Sequence, residues 1–347
     1  MKELGKILSF GELLLRMSPQ SQGQWIQDQS IATYVGGAEL NVATALARWE
    51  LPSKYFTALP DHALSHDLVQ YMNDKGIDPS SIPFYGDRIG LYFLPQGGDL
   101  KSAGVIYDRA HSSFAELETG MIDWDQVLAD VSWLHFTAIS PALNHKVAAL
   151  CLELLKAATE RKITISLDLN FRAKLWKYGK SPVEIMPQLA QYCDLIMGNI
   201  WAAGKLLGMP LDEQAEVIHQ KQVYLDHALS TSQAIIKAFP KVKHVANTFR
   251  FDASQGPGIE YYATLYTAGQ LHVANEIRVD DIKDKIGSGD CFMAGLIYGF
   301  YKQLHPEQII NFSATAAVGK MYETSDATNQ TVAEVLANKI KFTKASQ

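Results

Sequence analysis

The sequence predicts an α/β fold with a doubly wound, mostly parallel sheet. Short apolar stretches typical of strands alternate with longer stretches whose apolar residues recur at helical spacing. Strands separated by helical segments of this length pair in parallel, because the chain must cross back over the sheet between them. The chain has 347 residues, 47% of them hydrophobic, which is enough for one large domain with an excursion or for two ordinary domains.

The alternation is clearest in the middle of the chain. Between two strand patterns, apolar residues such as Val147, Leu150 and Leu154 recur at the spacing of one helix face. The predicted elements of this region are a strand at 131–136, a helix at 146–161, strands at 163–168 and 194–198, a helix at 230–238 and a strand at 243–248.

Two segments interrupt the alternation, at residues 13–35 and 83–108, and both read as strands and turns without helices. In the second segment, strand patterns at 90–94 and 105–107 flank a turn-rich stretch at 95–99, as in a β-hairpin. We therefore expect the two segments to form a small β-sheet that covers a cleft as a lid.

This interpretation divides the chain into a lid and a core. The core is expected to consist of residues 1–12, 36–82 and 109–347. The outer face of the lid, which carries Trp25, is expected to pair with a second copy of the chain in a homodimer. A lid that only covers its own core is the alternative.

Charge and composition argue against several classes of partner. The net charge is −6 and no lysine- or arginine-rich stripe is present, which argues against nucleic acid binding. The N-terminal apolar stretch is interrupted by charged residues, unlike a secretory signal. No stretch approaches the roughly 20 apolar residues that span a bilayer. We therefore expect a cytoplasmic protein that acts on small molecules.

Cysteine and histidine spacing predicts neither a disulfide framework nor a zinc site. Cys151, Cys193 and Cys291 are scattered and form no Cys-x-x-Cys pair, so we expect buried thiols in a reducing compartment. His62 and His66 lie four residues apart on a predicted helix, but the glutamate of a His-Glu-x-x-His motif is missing. We expect these two histidines to be solvated or to cap a helix.

Residues 284–290 read Asp-Lys-Ile-Gly-Ser-Gly-Asp and run directly into an apolar stretch, so a small-residue loop is predicted to open a helix. Successive N–H groups in such a loop, together with the positive end of the helix dipole, form a site for phosphate oxygens. Asp290 in the first turn is placed to accept a proton from a substrate hydroxyl and is expected to stay ionised. The alternative is a residue that only caps the helix.

This loop does not match two common nucleotide-binding motifs. The third glycine of a dinucleotide-binding fingerprint is absent, and the loop lies far from the first strand-turn-helix unit. No glycine-rich stretch of the chain ends in Gly-Lys-Ser or Gly-Lys-Thr, as a P-loop would. Any nucleotide must therefore be held by a different phosphate cradle.

A second glycine turn lies near the N-terminus. Residues 36–41 read Gly-Gly-Ala-Glu-Leu-Asn and precede a helix predicted at 42–49, and glycines there permit close approach of a ligand to the backbone. Both turns precede helices of one parallel sheet, so they converge at its C-terminal edge, where such folds bind ligands. A plain turn is the alternative for either motif taken alone.

Taken together, in this order and separation, the two turns resemble the signatures of the ribokinase-like carbohydrate kinases, also called the PfkB family. The resemblance covers nearly the whole chain, and it implies a doubly wound sheet with a small β-sheet lid. It also implies transfer of the γ-phosphoryl group of ATP, accompanied by Mg²⁺, to a sugar hydroxyl. Asp290 would be the base, and the amides of Gly287, Ser288 and Gly289 would form the anion hole.

Three further stretches, at residues 86–93, 105–112 and 168–176, resemble the branch of the family that phosphorylates 2-keto-3-deoxygluconate. A planar guanidinium binds a carboxylate through two hydrogen bonds, so Arg109 suits the carboxylate of such a sugar acid. Arg172 is instead a candidate for orienting hydroxyls or phosphate. Surface ion pairs are the alternative for both arginines. The sugar site implied by the resemblance consists of Gly36, Gly37, Asn41, Tyr92, Tyr107, Arg109 and Arg172, with the two tyrosines otherwise serving as lid-core aromatics.

Two departures from the family pattern concern the nucleotide. Many members have Asn-x-x-Glu where residues 199–202 read Asn-Ile-Trp-Ala, so Ala202 replaces a glutamate that helps to organise Mg²⁺. The nucleotide loop Thr-x-Gly-x-x-Gly corresponds to residues 248–253, which contain no glycine. Residues 322–329 resemble the lining of the adenine pocket. The resulting candidates for the ATP site are Asn199, Thr248, Arg250, Gly287, Gly289 and Asn329.

Three functions therefore compete at this point. The leading hypothesis is an ATP-dependent kinase of 2-keto-3-deoxygluconate. The second is a kinase of a neutral sugar such as fructose or ribose, which predicts turnover that survives Arg109→Ala. The third is a catalytically silent sugar-binding relative, which Ala202 favours and which the retained Asp290 and its glycine loop oppose.

Overall fold

The computed structural model describes residues 5–19, 30–95, 104–211, 220–252 and 258–345, with side chains described up to residue 339. Its architecture is α/β: a ten-stranded central sheet is flanked by helices, and a separate four-stranded sheet stands beside it. In chain order, the strands are β1 (Lys6–Phe10), β2 (Leu14–Ser18), β3 (Ala32–Gly36), β4 (Ser53–Phe56), β5 (Ile77–Asp78), β6 (Gly90–Phe93), β7 (Ile106–Asp108), β8 (Val131–Thr137), β9 (Thr164–Asp168), β10 (Leu195–Gly198), β11 (His244–Asp252), β12 (Ile259–Thr267), β13 (Gln270–Val273) and β14 (Ile277–Val279).

The central sheet has the order β13-β12-β11-β10-β9-β8-β1-β4-β5, with β14 paired to β12. From β5 to β11 all neighbours run parallel, and β12 joins β11 in the antiparallel sense. The helices are α1 (Ala38–Arg48), α2 (Ala63–Asp74), α3 (Trp124–Val127), α4 (His145–Glu160), α5 (Pro182–Ala190), α6 (Ile200–Leu207), α7 (Lys221–Ala238), α8 (Ser288–Tyr301), α9 (Pro306–Lys320) and α10 (Val332–Ala345), with a short 3₁₀ turn at Ser140–Ala142.

Hydrophobic cores on both faces of the sheet make the fold doubly wound. On one face, α4 and α5 bury residues such as Leu150, Leu154 and Met186 against the strands. On the other face, α1 and α8 bury Val42 and Phe292. Burial on both faces explains why the parallel strands read as nearly continuous apolar runs in the sequence.

Three predicted elements differ from the structure by more than one residue in their bounds. Helix α1 begins at Ala38 rather than at residue 42, because Gly37 with a φ of 136° ends the preceding extended chain and the next residues favour a helix. Asn41 therefore lies in the first turn of a helix and not in a loop before it. Helix α7 begins at Lys221, and β11 continues to Asp252 because it is paired with β12 over its whole length.

The small sheet contains strands from both interrupting segments. Its order is β3-β2-β6-β7, and the strands β6 and β7 form the predicted antiparallel pair, with Tyr92 opposite Tyr107. Most of the predicted turn at 95–99 and Trp25 lie outside the described residues. The exact division into core and lid, and a homodimer through the lid, stay predictions.

The three cysteines and the histidine pair have the expected structural roles. Cys151, Cys193 and Cys291 are free and buried. His62 is the N-cap of α2, where its Nδ1 accepts a hydrogen bond from the N–H of Ser65 at 3.2 Å. His66 is exposed. Within the ranges that the structure describes, we find no helix that is both long and apolar enough to cross a membrane.

Candidate active site

A cavity of about 790 Å³ opens at the C-terminal edge of the parallel strands. Asp168 and Gly198, the last residues of β9 and β10, lie on its floor, and lid residues lie on another wall. Parallel strands end at the same edge of a sheet, so the turns that follow them meet there. The predicted site residues that line the cavity are Gly37, Asn41, Tyr92, Tyr107, Arg109, Arg172, Asn199, Thr248, Arg250, Gly287, Ser288, Gly289 and Asp290.

The glycine turn before α8 leaves several backbone N–H groups open. Gly287 is the N-cap of α8, with a left-handed φ of 74° that favours glycine. Across the described chain, the N–H groups of Gly287, Gly289 and Asp290 have no hydrogen-bond partner. The N–H of Ser288 differs, because it points to the oxygen of Lys285 at 3.4 Å. The open N–H groups of this turn are thus those of Gly287, Gly289 and Asp290, whereas the N–H of Ser288 is engaged.

Asp290 is a buried carboxyl at the mouth of this turn. Its Oδ2 accepts a hydrogen bond of 2.7 Å from Nδ2 of Asn41, a residue 249 positions earlier in the chain. Burial raises the pKa of Asp290 to about 7, although the bond from Asn41 acts in the opposite direction. A carboxyl with this pKa is only partly ionised at neutral pH, in contrast to the expectation that Asp290 stays ionised. A pKa near 7 suits a general base, which must both take up and release a proton near neutral pH.

Tyr92 of the lid and Arg109, which directly follows the last lid strand, make buried hydrogen bonds. The hydroxyl of Tyr92 donates to Oδ2 of Asp326 at 2.8 Å. Nε of Arg109 donates to Oε2 of Glu12 at 2.6 Å, and both side chains are almost fully buried. Arg109 is therefore not in a surface ion pair. Its Nη1 and Nη2 make no hydrogen bond to the residues that the structure describes, so one edge of the guanidinium remains available beside the cavity.

The other wall of the cavity is more open. Asn199 is the N-cap of α6, because its Oδ1 accepts a hydrogen bond from the N–H of Ala202 at 2.7 Å. Its side-chain oxygen is thereby committed to the helix. Arg250 on β11 lines the cavity but is exposed to solvent. This wall also contains Trp201 and Lys205, which were not among the site residues predicted from the sequence.

This geometry agrees with a comparison against families of known proteins. The model of the pfkB family of carbohydrate kinases matches residues 4–238. The chain belongs to the pfkB family. The matched range includes the turn before α1 and most of the sheet, whereas the turn that contains Asp290 lies beyond it.

Individual relatives of this pfkB kinase include sugar-acid kinases. A 2-dehydro-3-deoxygalactonokinase from Haloferax volcanii is 31% identical over 172 residues, which cover 49% of this chain and 54% of the relative. A 2-dehydro-3-deoxygluconokinase from Bacillus subtilis is 25% identical over 298 residues, or 84% of this chain and 82% of the relative. The crystal structure of 2-dehydro-3-deoxygluconokinase from Thermotoga maritima superimposes with a TM-score of 0.86 at 29% identity, covering 97% and 99% of the two chains. The predicted fold class is confirmed.

Two predicted site residues do not line the cavity of the pfkB kinase. Gly36 lies behind it, where an added Cβ would be 2.8 Å from Oδ2 of Asp326. Asn329 borders a separate cavity of about 240 Å³. The main-chain oxygen of Asn329 accepts a hydrogen bond from Nε of Arg48 at 2.9 Å, and its Nδ2 donates to Oγ of Ser325 at 3.1 Å. The role of Asn329 at the nucleotide stays a prediction.

Two buried carboxyls near Asp290 were not selected from the sequence. Glu39 accepts hydrogen bonds from the N–H and Oγ1 of Thr137 at 3.2 and 2.7 Å, and burial raises its pKa. Asp168 lines the cavity, and burial followed by the charge of Asp290 raises its pKa well above the ordinary value. Their positions, at the start of α1 and the end of β9, are the signal that could have indicated them.

Proposed function

We propose that this pfkB kinase transfers the γ-phosphoryl group of ATP to a hydroxyl of a 2-keto-3-deoxy sugar acid, with 2-keto-3-deoxygluconate favoured. The observation that carries the proposal is the buried Asp290 carboxyl beside the open N–H groups of Gly287 and Gly289, in a cavity that Arg109 also lines. Phosphoryl transfer depends mostly on positioning and on stabilising charge at the phosphoryl oxygens.

Asp290 accepts the proton of the sugar hydroxyl in this proposal. Its bond to Asn41 fixes one carboxylate oxygen, which leaves the other for the substrate. The open N–H groups at the start of α8 bind the phosphoryl oxygens, where the helix dipole adds to their effect. Arg172 lines the same cavity, and in this proposal it binds phosphate or sugar hydroxyls.

The choice of a sugar acid rests on Arg109. Glu12 occupies its Nε, so the two terminal nitrogens remain as a fork that matches the two oxygens of a carboxylate. The names of the relatives from Bacillus subtilis and Thermotoga maritima support the gluconate-derived acid, and that of the Haloferax volcanii relative supports its galactonate-derived counterpart. Both acids carry the same carboxylate.

Mg²⁺ is expected to enter with the nucleotide. No group of three or more His, Cys, Asp or Glu within the described ranges is arranged to hold a metal ion. Mg²⁺ fits such a site nevertheless, because it keeps several waters and uses one or two carboxylates together with substrate phosphates. Asp168 suits this role, since its buried carboxyl lines the cavity and accepts no side-chain hydrogen bond from the described residues. The ion would neutralise phosphate charge.

A neutral-sugar kinase is the second candidate, and the ion pair between Glu12 and Arg109 favours it. Glu12 compensates the charge of Arg109 within the protein, so a substrate without a carboxylate would leave no unpaired buried charge. In that case Arg109 would be a structural residue, and its terminal nitrogens would contact sugar hydroxyls.

A coupled ADP-release assay with ATP and Mg²⁺ distinguishes these candidates. The substrates are 2-keto-3-deoxygluconate, 2-keto-3-deoxygalactonate, fructose, ribose and gluconate, and Asp290→Ala serves as the inactive control. We expect turnover with one or both keto acids that is lost in the variant. Turnover confined to fructose or ribose would replace the proposal by the second candidate, and sugar binding without any turnover would contradict both.

A further inference from the structure

A buried arginine on the lid contacts two loops of the core. Arg16 on β2 is about 1% exposed, and its Nη2 lies 2.6 Å from Oδ1 of Asp326. Its Nη1 lies 3.4 Å from Oδ2 of Asp284, and its guanidinium stacks on the ring of Tyr34 at 4.2 Å. Removing three charged groups from water is costly, so this cluster is not explained by stability alone.

Asp326 connects this arginine to both halves of the cavity. Its Oδ2 accepts the hydroxyl of Tyr92, the lid tyrosine that lines the sugar side. Its main-chain oxygen packs directly on Gly287, where an added Cβ would overlap it. A single residue thus contacts the lid through its side chain and the phosphate-facing turn through its backbone.

Asp284 contacts the N-terminal end of the turn that contains Gly287. Its Oδ1 accepts a hydrogen bond from the N–H of Ile286 at 2.9 Å, which closes the chain just before Gly287. Nη2 of Arg16 also lies 3.5 Å from the oxygen of Thr324, next to Asp326. Arg16 therefore draws together the two core loops, at 284–287 and 324–326, that set the position of the open N–H groups.

We propose that Arg16 and Asp326 are positioning residues that tie the sugar-facing Tyr92 to the phosphate-facing turn at Gly287, so that sugar and nucleotide bind cooperatively. This inference rests on the proposed function for the identity of the sugar, but not for the position of the turn. Neither residue touches the reacting groups. A ligand that orders Tyr92 orders Asp326, and Asp326 in turn fixes the backbone against which the phosphate lies.

The test measures cooperativity directly on the full chain. The dissociation constant of a non-hydrolysable ATP analogue with Mg²⁺ is determined by calorimetry, with and without saturating 2-keto-3-deoxygluconate. The variants are Asp326→Asn and Tyr92→Phe. Tyr107→Phe is the matched control, because it removes a hydroxyl from the same cavity and Tyr107 pairs opposite Tyr92 without a bond to Asp326.

We expect the sugar acid to tighten analogue binding about fivefold or more in the unmodified protein, within the usual range of coupling between two sites. The ratio of the dissociation constants without and with the sugar acid should fall below about two in Asp326→Asn and Tyr92→Phe, because both variants break the coupling. The ratio should be unchanged in Tyr107→Phe. An equal factor in all four proteins, or no factor in the unmodified protein when it binds the sugar acid, overturns the inference.

A second comparison separates this inference from the proposed substrate. Without any sugar, Asp326→Asn is expected to weaken analogue binding about tenfold, because it loses the ion pair with Arg16 that holds the backbone of residue 326 against Gly287. This corresponds to about 1.4 kcal/mol. If the unmodified protein does not bind the keto acid, the proposed function fails and this comparison still decides the inference: unchanged affinity in Asp326→Asn overturns it. If Asp326→Asn does not fold, Tyr92→Phe carries the cooperativity test.

Discussion

The two sides of the cavity differ in how firmly their side chains are held. On the sugar side, Asn41, Tyr92 and Arg109 are buried, and each is held by a carboxyl group at 2.6 to 2.8 Å. On the nucleotide side, Arg250 is exposed and the side chain of Asn199 is committed to capping α6. This contrast fits the proposed function, in which side chains select the sugar and backbone N–H groups hold the phosphate.

The largest effect is expected from the residue between the two sides. Asp290→Asn keeps the size of the side chain and a hydrogen-bond acceptor for Asn41, but it cannot accept a proton. We expect kcat to fall by about a hundred- to ten-thousandfold, as for other general bases, with the dissociation constants of sugar and nucleotide nearly unchanged. Steady-state rates and calorimetry measure the two quantities. A loss smaller than tenfold would show that Asp290 is not the base.

The same variant should be more stable than the unmodified protein at high pH. The folded pKa of Asp290 is about 7, above the ordinary 3.8, so its contribution to stability is complete below pH 3.8 and is lost as pH rises through 7. Removing the carboxyl avoids this loss, which is worth about 4 kcal/mol at most. Thermal melts should show a higher Tm for Asp290→Asn at pH 8 and little difference at pH 4.

The pH dependence of kcat/KM reports the ionisation of Asp290 in the free enzyme. Only the ionised Asp290 accepts a proton, and burial raises its pKa to about 7. The value of kcat/KM should therefore rise about tenfold per pH unit below 7 and level off above it. Asn41→Ala removes the bond that favours the ionised form, so the midpoint should move to higher pH. A profile that is flat between pH 5 and 8 would contradict this assignment.

Arg109 provides the sharpest test of the sugar side. Arg109→Lys retains a positive charge for Glu12 but loses the planar fork, so the KM for a keto acid should rise about ten- to a hundredfold. The KM for ATP should not change. Arg88→Lys is the control, because Arg88 pairs with Asp108 on the surface of the lid and does not line the cavity. An equal rise of KM in both variants would remove Arg109 from the substrate site.

Substitutions of Gly287 and Gly289 test two different properties of the same turn, namely the shape of its backbone and its access to phosphate. A Cβ at Gly289 would meet nothing within 4 Å, whereas one at Gly287 would overlap Asp326. Gly289→Ala should therefore fold normally and weaken ATP binding about tenfold, because the methyl group crowds the open N–H groups. Gly287→Ala should lower the free energy of unfolding by at least about 1–2 kcal/mol. Thermal melts and KM for ATP distinguish the two variants, and normal ATP binding by Gly289→Ala would exclude a phosphate at this turn.

The smallest effect is expected at Arg250. Its exposed guanidinium is screened by solvent, so Arg250→Gln should raise the KM for ATP no more than about fivefold. A much larger rise would show that the nucleotide side becomes organised around Arg250 when ATP binds. Assays at two salt concentrations test the same point, since a screened contact weakens as salt rises.

The sequence predicted what depends on local pattern and missed what depends on distant contacts. Alternating apolar runs were enough for the sheet and its helices. The two glycine turns indicated Gly37, Asn41 and residues 287–290 of the cavity lining, and the family resemblance indicated the other predicted residues. The partners of those residues were not predictable in this way. Glu12 meets Arg109 across 97 positions and Arg16 meets Asp284 across 268, so no local spacing indicates either pair. The pKa of Asp290 likewise depends on burial by the whole fold.

The central claim is that Asp290 enables phosphorylation of a keto sugar acid. The most direct measurement is mass spectrometry of the products after incubation of the protein with ATP, Mg²⁺ and 2-keto-3-deoxygluconate. The account predicts a singly phosphorylated acid and an equal amount of ADP with the unmodified protein, and neither with Asp290→Asn. ADP formation without a phosphorylated acid, or equal product from both proteins, would contradict it.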